Sequence, residues 1–456
     1  MFGVICKARW ATILVAGGLM LGTSISAQAA DLGGDCCADL EERVAELEAT
    51  TARKGNRKVK LTVYGQVNEA IMFWDDGFER NAYVVTNDAS RTRFGFKGGA
   101  KINDDWSANF KIEIGVRSAN SKRSDQNNAS GLTDGNFDLR HVWWNLSSKT
   151  YGTFQVGHTP TATEDITEAN LAGTNAVGKY ADVEDSGLGM LLRNTAGGLS
   201  TIAWRRLLKH TGDAPGEGDR RQAVLYISPT FNGFTASAAW GADDSWDTGI
   251  TYQGEFHNFK VEARFGYGQN TTNSANDDDA FFACIDTATD GAHCQQAGGS
   301  ISVLHEPTGL YTNFAAGWFK DDDIANSGSF AAALNPDDES TFWAVEAGIH
   351  KKWIDLGPTT IFAQYYDYDG GANARQSVGA GDAINSFAAG TARIFTSEVE
   401  MFGLGIAQDI KAADMKLYAL YRHYETDVSL SQGVVVQDSR PLENLDILMT
   451  GAIIKF

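Results

Sequence analysis

From Val59 to the last residue, Phe456, the chain keeps a two-residue rhythm, and that rhythm leaves few folds open. Val59, Leu61, Val63, Val67, Ile71 and Phe73 share one face of the first stretch. Lys60, Thr62, Tyr64, Gln66 and Asn68 share the other. This is a strand whose two faces meet different surroundings. The next, 91–102, opposes Phe94, Phe96, Ala100 and Ile102 to Arg91, Arg93, Lys97 and Lys101. The third, 106–118, sets Trp106, Phe110, Ile112 and Ile114 against Ser107, Asn109, Lys111 and Glu113. Further strands read at 137–147, 151–158, 187–196, 199–208, 221–229, 233–242, 247–255, 259–268, 299–304, 309–319, 341–353, 357–368, 398–410, 413–427 and 444–456.

Connections alternate in length. Short turns fall at 103–105, 148–150, 196–198, 229–233, 256–258, 305–308, 354–356 and 411–412, with long loops between them. Strands of about ten residues with short turns at one end and long loops at the other describe an antiparallel transmembrane β-barrel. A soluble β-sandwich would bury its apolar face in a core and has no use for so many strands, since twisted open sheets rarely exceed about ten. The polar face here carries too many charges for a packed interior, which points to a water-filled lumen. Trp106, Trp143, Trp144, Tyr151, Tyr226, Trp240, Phe256, Trp343, Trp353 and Phe456 fall near strand ends, where an interfacial girdle belongs. The fold class is therefore all-β: a transmembrane barrel of sixteen or eighteen strands, preceded by a short helix.

The segment before the barrel divides in two. Lys7 and Arg9, an apolar run from Trp10 to Leu21, and Ala27-Gln28-Ala29 have the layout of a signal peptide over 1–29. The apolar run is short for a membrane anchor. Residues 30–57 carry Leu40, Val44, Leu47 and Thr51 at spacings of four, three and four, with charges between. This is one to two heptads of coiled coil, or a single amphipathic helix lying on its own domain. Losing the signal removes two cations and takes the net charge from −20 to −22, which argues against a nucleic-acid partner. Export permits disulfides. Cys284 and Cys294 would close a short loop, while adjacent Cys36 and Cys37 suit pairing between chains.

One stretch breaks the rhythm, the loop 157–187, and a structureless connection this long inside a compact domain is usually functional. It holds Glu164, Asp165, Glu168, Asp182, Glu184 and Asp185 against one cation, Lys179. Its small residues Ala169, Ala172, Gly173 and Gly178 suit packing against other backbone.

By Tyr226-Ile227-Ser228-Pro229-Thr230-Phe231-Asn232-Gly233-Phe234 the chain resembles a Gram-negative trimeric porin of the general diffusion family. Arg93-Phe94-Gly95-Phe96, the run from Asn145 to Gly157 into a long acidic loop, and the terminal Phe456 are similar too. The resemblance covers 59–456. It implies sixteen strands, against the eighteen counted, of which 299–304 and 309–319 are the weakest. It implies a homotrimer in the outer membrane, among lipid and lipopolysaccharide, passing small hydrophilic solutes and ions. It implies that the third loop folds into the lumen as a constriction, and that Phe456 is read by the barrel-assembly machinery. The N-terminal helix also resembles the extension of phosphate-selective porins, but those would require a dense cationic ladder.

Acids on the loop facing cations on the wall would set a transverse field. The wall candidates are Arg91, Arg93, Lys97, Lys111, Arg140 and Arg193. Neither a cofactor nor a metal is expected. No G-x-S-x-G, P-loop or C-x-x-C occurs, and the eight histidines form no H-x-x-x-H pair. A channel is thus the leading reading, with a substrate-selective porin, an envelope-tethering barrel and an adhesin as alternatives, and an enzyme set aside.

Overall fold

The computed structural model describes residues 59–131, 136–208, 215–271, 281–282, 284 and 293–456. The signal peptide and the heptad segment 30–57 with Cys36 and Cys37 lie outside them.

In chain order the strands are β1 (Lys60–Asp75), β2 (Arg80–Thr86), β3 (Arg93–Lys101), β4 (Trp106–Val116), β5 (Phe137–Ser148), β6 (Gly152–Pro160), β7 (Leu191–Arg193), β8 (Leu199–Ala203), β9 (Arg220–Ile227) and β10 (Phe234–Gly241). They continue with β11 (Trp246–Phe256), β12 (Phe259–Asn270), β13 (Cys294–His305), β14 (Leu310–Asp321), β15 (Glu339–Ile354), β16 (Gly357–Gly370), β17 (Ser377–Val378), β18 (Ala392–Ile410), β19 (Met415–Gln432), β20 (Val435–Asp438) and β21 (Leu445–Lys455). Sixteen of these are staves of one closed antiparallel barrel. The sheet runs from β1 through β3–β6, β9–β16, β18 and β19 to β21. Closure is direct: β21 pairs with β1 in a register that sets Leu448 opposite Phe73, and the backbones of Phe456 and Gly65 exchange hydrogen bonds of 3.0 Å in both directions.

The other strands are additions at the long-loop end. β2 runs along the upper edge of β1, which β3 leaves free because β3 pairs only with Lys60–Gln66. β17 and β20 extend the loops that carry them. β7 and β8 form a separate two-stranded sheet. Here the eighteen-strand count fails. The surplus pair is 187–196 and 199–208, which fold as this small hairpin, whereas 299–304 and 309–319 are genuine staves within β13 and β14.

Leu61, Val63, Val67, Ile71 and Phe73 are exposed on the outer wall, while Gln66 and Asn68 are buried inside it. Phe234, Ile250, Phe265, Ile301, Phe314, Ile361, Phe402, Leu417 and Leu448 continue the outer apolar band. Trp144, Tyr151, Tyr226, Trp240, Phe256, Trp343, Trp353 and Phe456 are exposed near its rims. Trp143 is the exception. It is paired with Lys111 and faces the lumen, because period two sends it to the side opposite Trp144. Above the band, β16, β18 and β19 set Asp367 against Glu400 against Glu425, and Asp369 against Glu398 against Asp427. Facing carboxylates repel, so these rows belong in water or headgroups and mark the upper limit of the hydrocarbon.

The main apolar cluster lies inside the barrel. Val177, Tyr180, Leu188, Met190, Leu192, Trp204 and Leu207 pack on inward side chains such as Tyr366, Tyr368, Leu420, Tyr424 and Met449. A smaller cluster of Phe281, Phe282 and Phe319 includes Cys284 and Cys294, which are joined by a disulfide.

Candidate functional site: a charged constriction inside the barrel

The third long loop spans 161–219, between β6 and β9. It starts later than expected, since 157–160 still belong to β6, and it ends much later because the hairpin β7–β8 is part of it.

This loop follows the inner wall in strand order. The N–H and hydroxyl of Thr163 donate to Asp247 of β11 at 2.8 and 2.6 Å. The carbonyl of Asp165 accepts from Arg264 of β12 at 2.6 Å. The N–H groups of Ala169 and Leu171 donate to Ser300 and Ser302 of β13 at 2.9 and 3.0 Å. The Thr174 hydroxyl donates to Glu346 of β15 at 2.6 Å. Gln364 of β16 donates to the carbonyl of Gly178 at 2.9 Å, and Arg422 of β19 to that of Lys179 at 2.5 Å. Small residues make this possible. Ala169 and Ala172 are buried, and any side chain at Gly178 would collide with Leu420.

The acidic edge of the loop faces β3–β5 across a cavity of about 460 Å³. All six expected carboxylates line it, with Arg91, Arg93 and Arg140 from the opposite side. Arg91 is held by Asp88 and Asp138 at 3.2 and 2.7 Å. Glu113 gathers Arg140 at 2.9 Å, Lys111 at 3.3 Å, Arg93 at 3.9 Å and the Tyr64 hydroxyl at 2.8 Å. Lys111 thus stands one step behind the cavity. Lys97 lies over the Tyr64 ring, 5.1 Å from its centre, and does not line the cavity. Arg193 is no wall residue at all. It sits on β7, where its guanidinium is buried against Asp76 at 2.8 Å and Glu79 at 3.1 Å of the first loop.

The loop acids form two groups. Glu164 touches Arg220. Glu168, Asp182 and Asp185 surround Lys179 at 2.6, 3.2 and 3.8 Å, and Lys122 of the second loop meets Glu184 and, at 3.1 Å, Asp185. Oxygens of Asp182, Glu184 and Asp185 lie within 4.8 Å of one another, but Lys122 and Lys179 already bring two ammonium groups to them, so the donor set argues for no metal. Burial, then Asp165 and Asp219, push the Glu164 carboxyl up to about 8 despite its contact with Arg220. Burial raises Glu217 to about 7 and Asp185, beside Asp182, to about 6. Burial lowers Lys179, but Glu168, Asp182 and Asp185 more than offset this and hold it well above its usual range. The carboxyl shifts follow from taking charges out of water beside like charges, and the lysine's from the opposite charges around it.

Sequence reasoning missed Arg220, Lys122, Glu217, Asp219, Asp88 and Glu113 as cavity or wall partners. Glu217–Arg221 was legible as a charged run. It escaped because reading 187–208 as staves ended the loop too early.

Several solved barrels share this architecture. An anion-selective porin from Comamonas acidovorans superposes with a TM-score of 0.51, 14% identity, and 87% of this chain against 100% of that one. OprB of Pseudomonas putida gives 0.51 at 12% identity, over 93% and 97% of the two chains. The outer membrane channel DcaP of Acinetobacter baumannii gives 0.50 at 12%, over 88% and 99%. At such identities they speak for the fold alone. No curated protein matches. The model of the Gram-negative porin family matches residues 11–432. Since that match takes in every barrel strand but β21, the chain belongs to the Gram-negative porins, multi-pass outer-membrane barrels through which small solutes diffuse.

Proposed function

We propose that the edge of the third loop bearing Glu164, Asp165 and Glu168 sets the selectivity of this pore, opposite Arg91, Arg93 and Arg140. The observation that carries the reading is the loop's course along the inner wall, which keeps nine carboxylates and six cations around one cavity. Inside low-dielectric walls such charges act on a passing ion far more strongly than they would in bulk water, where screening sets in within about 8 Å. Transport then needs no chemical step, and the protein is not an enzyme. Recordings from single channels test this. The triple variant Glu164→Gln, Asp165→Asn, Glu168→Gln is expected to assemble normally and to shift the reversal potential toward anions. Unchanged selectivity would rule the loop out as the filter.

We also propose a homotrimer, seated in lipid and lipopolysaccharide, in which the heptads of 30–57 add contacts between chains. Phe456, 66% exposed and packed over Gly65, is free to be read by the assembly machinery. Mass measurement in detergent should find three chains. A clean monomer would overturn the trimer.

A further inference from the structure

A second charged site lies on the long-loop side of the constriction, where the β7–β8 hairpin meets the second loop. The N–H of Gly187 donates to the carbonyl of Ser121 at 3.1 Å, and that of Arg205 to Leu188 at 2.8 Å. Gly189 approaches so closely that a methyl group there would stand 2.6 Å from the carbonyl carbon of Arg123. The backbone thus brings Arg123 beside Arg205 and Arg206. Both flanks are fixed. Trp204 is buried, with its ring 6.3 Å from that of Tyr424, and the carbonyl of Leu207 accepts from Ser397 of β18 at 2.9 Å.

Arg91, Arg93, Arg140, Arg193 and Arg220 all have carboxylate partners. Arg205 and Arg206 have none within ion-pair reach among the described residues. The Nε of Arg205 is shut away from solvent with no hydrogen bond. Burial, then the charge of Arg206 beside it, lowers Arg205 to about 10; Glu184 opposes this and Arg123 adds to it. A half-buried guanidinium among like charges and without a counter-ion is electrostatically incomplete. Its planar fork fits the paired oxygens of a carboxylate or phosphate.

We propose that Arg205 and Arg206, flanked by Arg123, form a docking site for small oxyanionic solutes that bear a carboxylate or phosphate group. The site gives such solutes a foothold before they meet the acidic loop edge, which repels them. It goes beyond the constriction reading and is tested separately from it. Inorganic phosphate or succinate is added to the long-loop side of channels conducting potassium chloride. Each is expected to reduce the current saturably. Arg206→Gln, at an exposed position with no ion pair to lose among the described residues, and the double variant Arg205→Gln, Arg206→Gln should raise the half-blocking concentration, by about tenfold in the double variant. Block by phosphate alone, or by succinate alone, supports the site and assigns the oxyanion. Equal block in wild type and both variants, or none in a conducting wild type, overturns it.

Discussion

Replacing Arg422 by alanine is expected to raise single-channel conductance and make the open current noisy, while leaving the barrel assembled. Arg422 is fully buried on the inner face of β19. It donates to the carbonyl of Lys179 at 2.5 Å, to that of Val183 at 3.2 Å, and to Gln364 at 2.9 Å. Gln364 in turn holds Glu346 at 2.7 Å and the carbonyl of Gly178 at 2.9 Å. Alanine would take from the Lys179 carbonyl its Arg422 donor, leave that of Val183 held only by Tyr424 and Ser186, and leave the buried Glu346 without its nearby positive charge. Removing one member of such a buried network costs about 3–5 kcal/mol, and the loss falls on the loop's seat, not on the wall, whose ladders come from backbone. Arg422→Lys keeps the charge but not the forked contact and should fall between. Wild-type conductance and noise in the alanine variant would show that the loop is held in place by other means.

The pore should become more cation-selective as pH rises from about 6 to about 9. Glu164 titrates near 8, Glu217 near 7 and Asp185 near 6, and Glu168 is raised as well. Glu164, Glu217 and Asp185 lose protons across this window, so negative charge accumulates around one cavity. Permeability to cations over anions is expected to rise by roughly threefold or more, the effect of one kT of added potential. The sign for stability is the opposite. A carboxyl whose pKa is higher in the folded chain binds its proton more readily there, so its contribution is present at low pH and is lost as pH rises through the folded value. The loop should therefore sit more firmly at pH 6 than at pH 9. Glu164→Gln should remove the most alkaline part of the selectivity change. A reversal potential independent of pH in wild type would contradict the buried placement of these acids.

Much of the barrel could be read directly because its two solvents differ. In β1 the residues read as apolar face are the ones found in the outer wall, since lipid and lumen sort Leu61 from Thr62. Period two reports a pleat, however, and not what lies beyond each face. Leu188, Met190 and Leu192 alternate as a stave does, yet all are buried inside the barrel. Arg193 was misplaced for the same reason. The converse holds in β13. Its alternation is confined to Ser300-Ile301-Ser302-Val303 and is lost across Ala297-Gly298-Gly299 and at the inward Leu304; the two serines stand where the loop's N–H groups need acceptors. Arg220, Lys122 and Glu113 were hidden because their roles depend on which strands and loops become neighbours, which local pattern does not encode.

The loop's ordered path along the wall also dictates when it can form. Its partners are made long after it: Arg422 follows Lys179 by 243 positions. Until β19 and β21 exist, Trp204, Leu188 and Met190 have no wall to bury against, and an unfinished barrel must carry them exposed. Seating the loop therefore waits on contacts of long sequence separation, whose closure is entropically costly and slow, and the constriction is among the last features of the barrel to form.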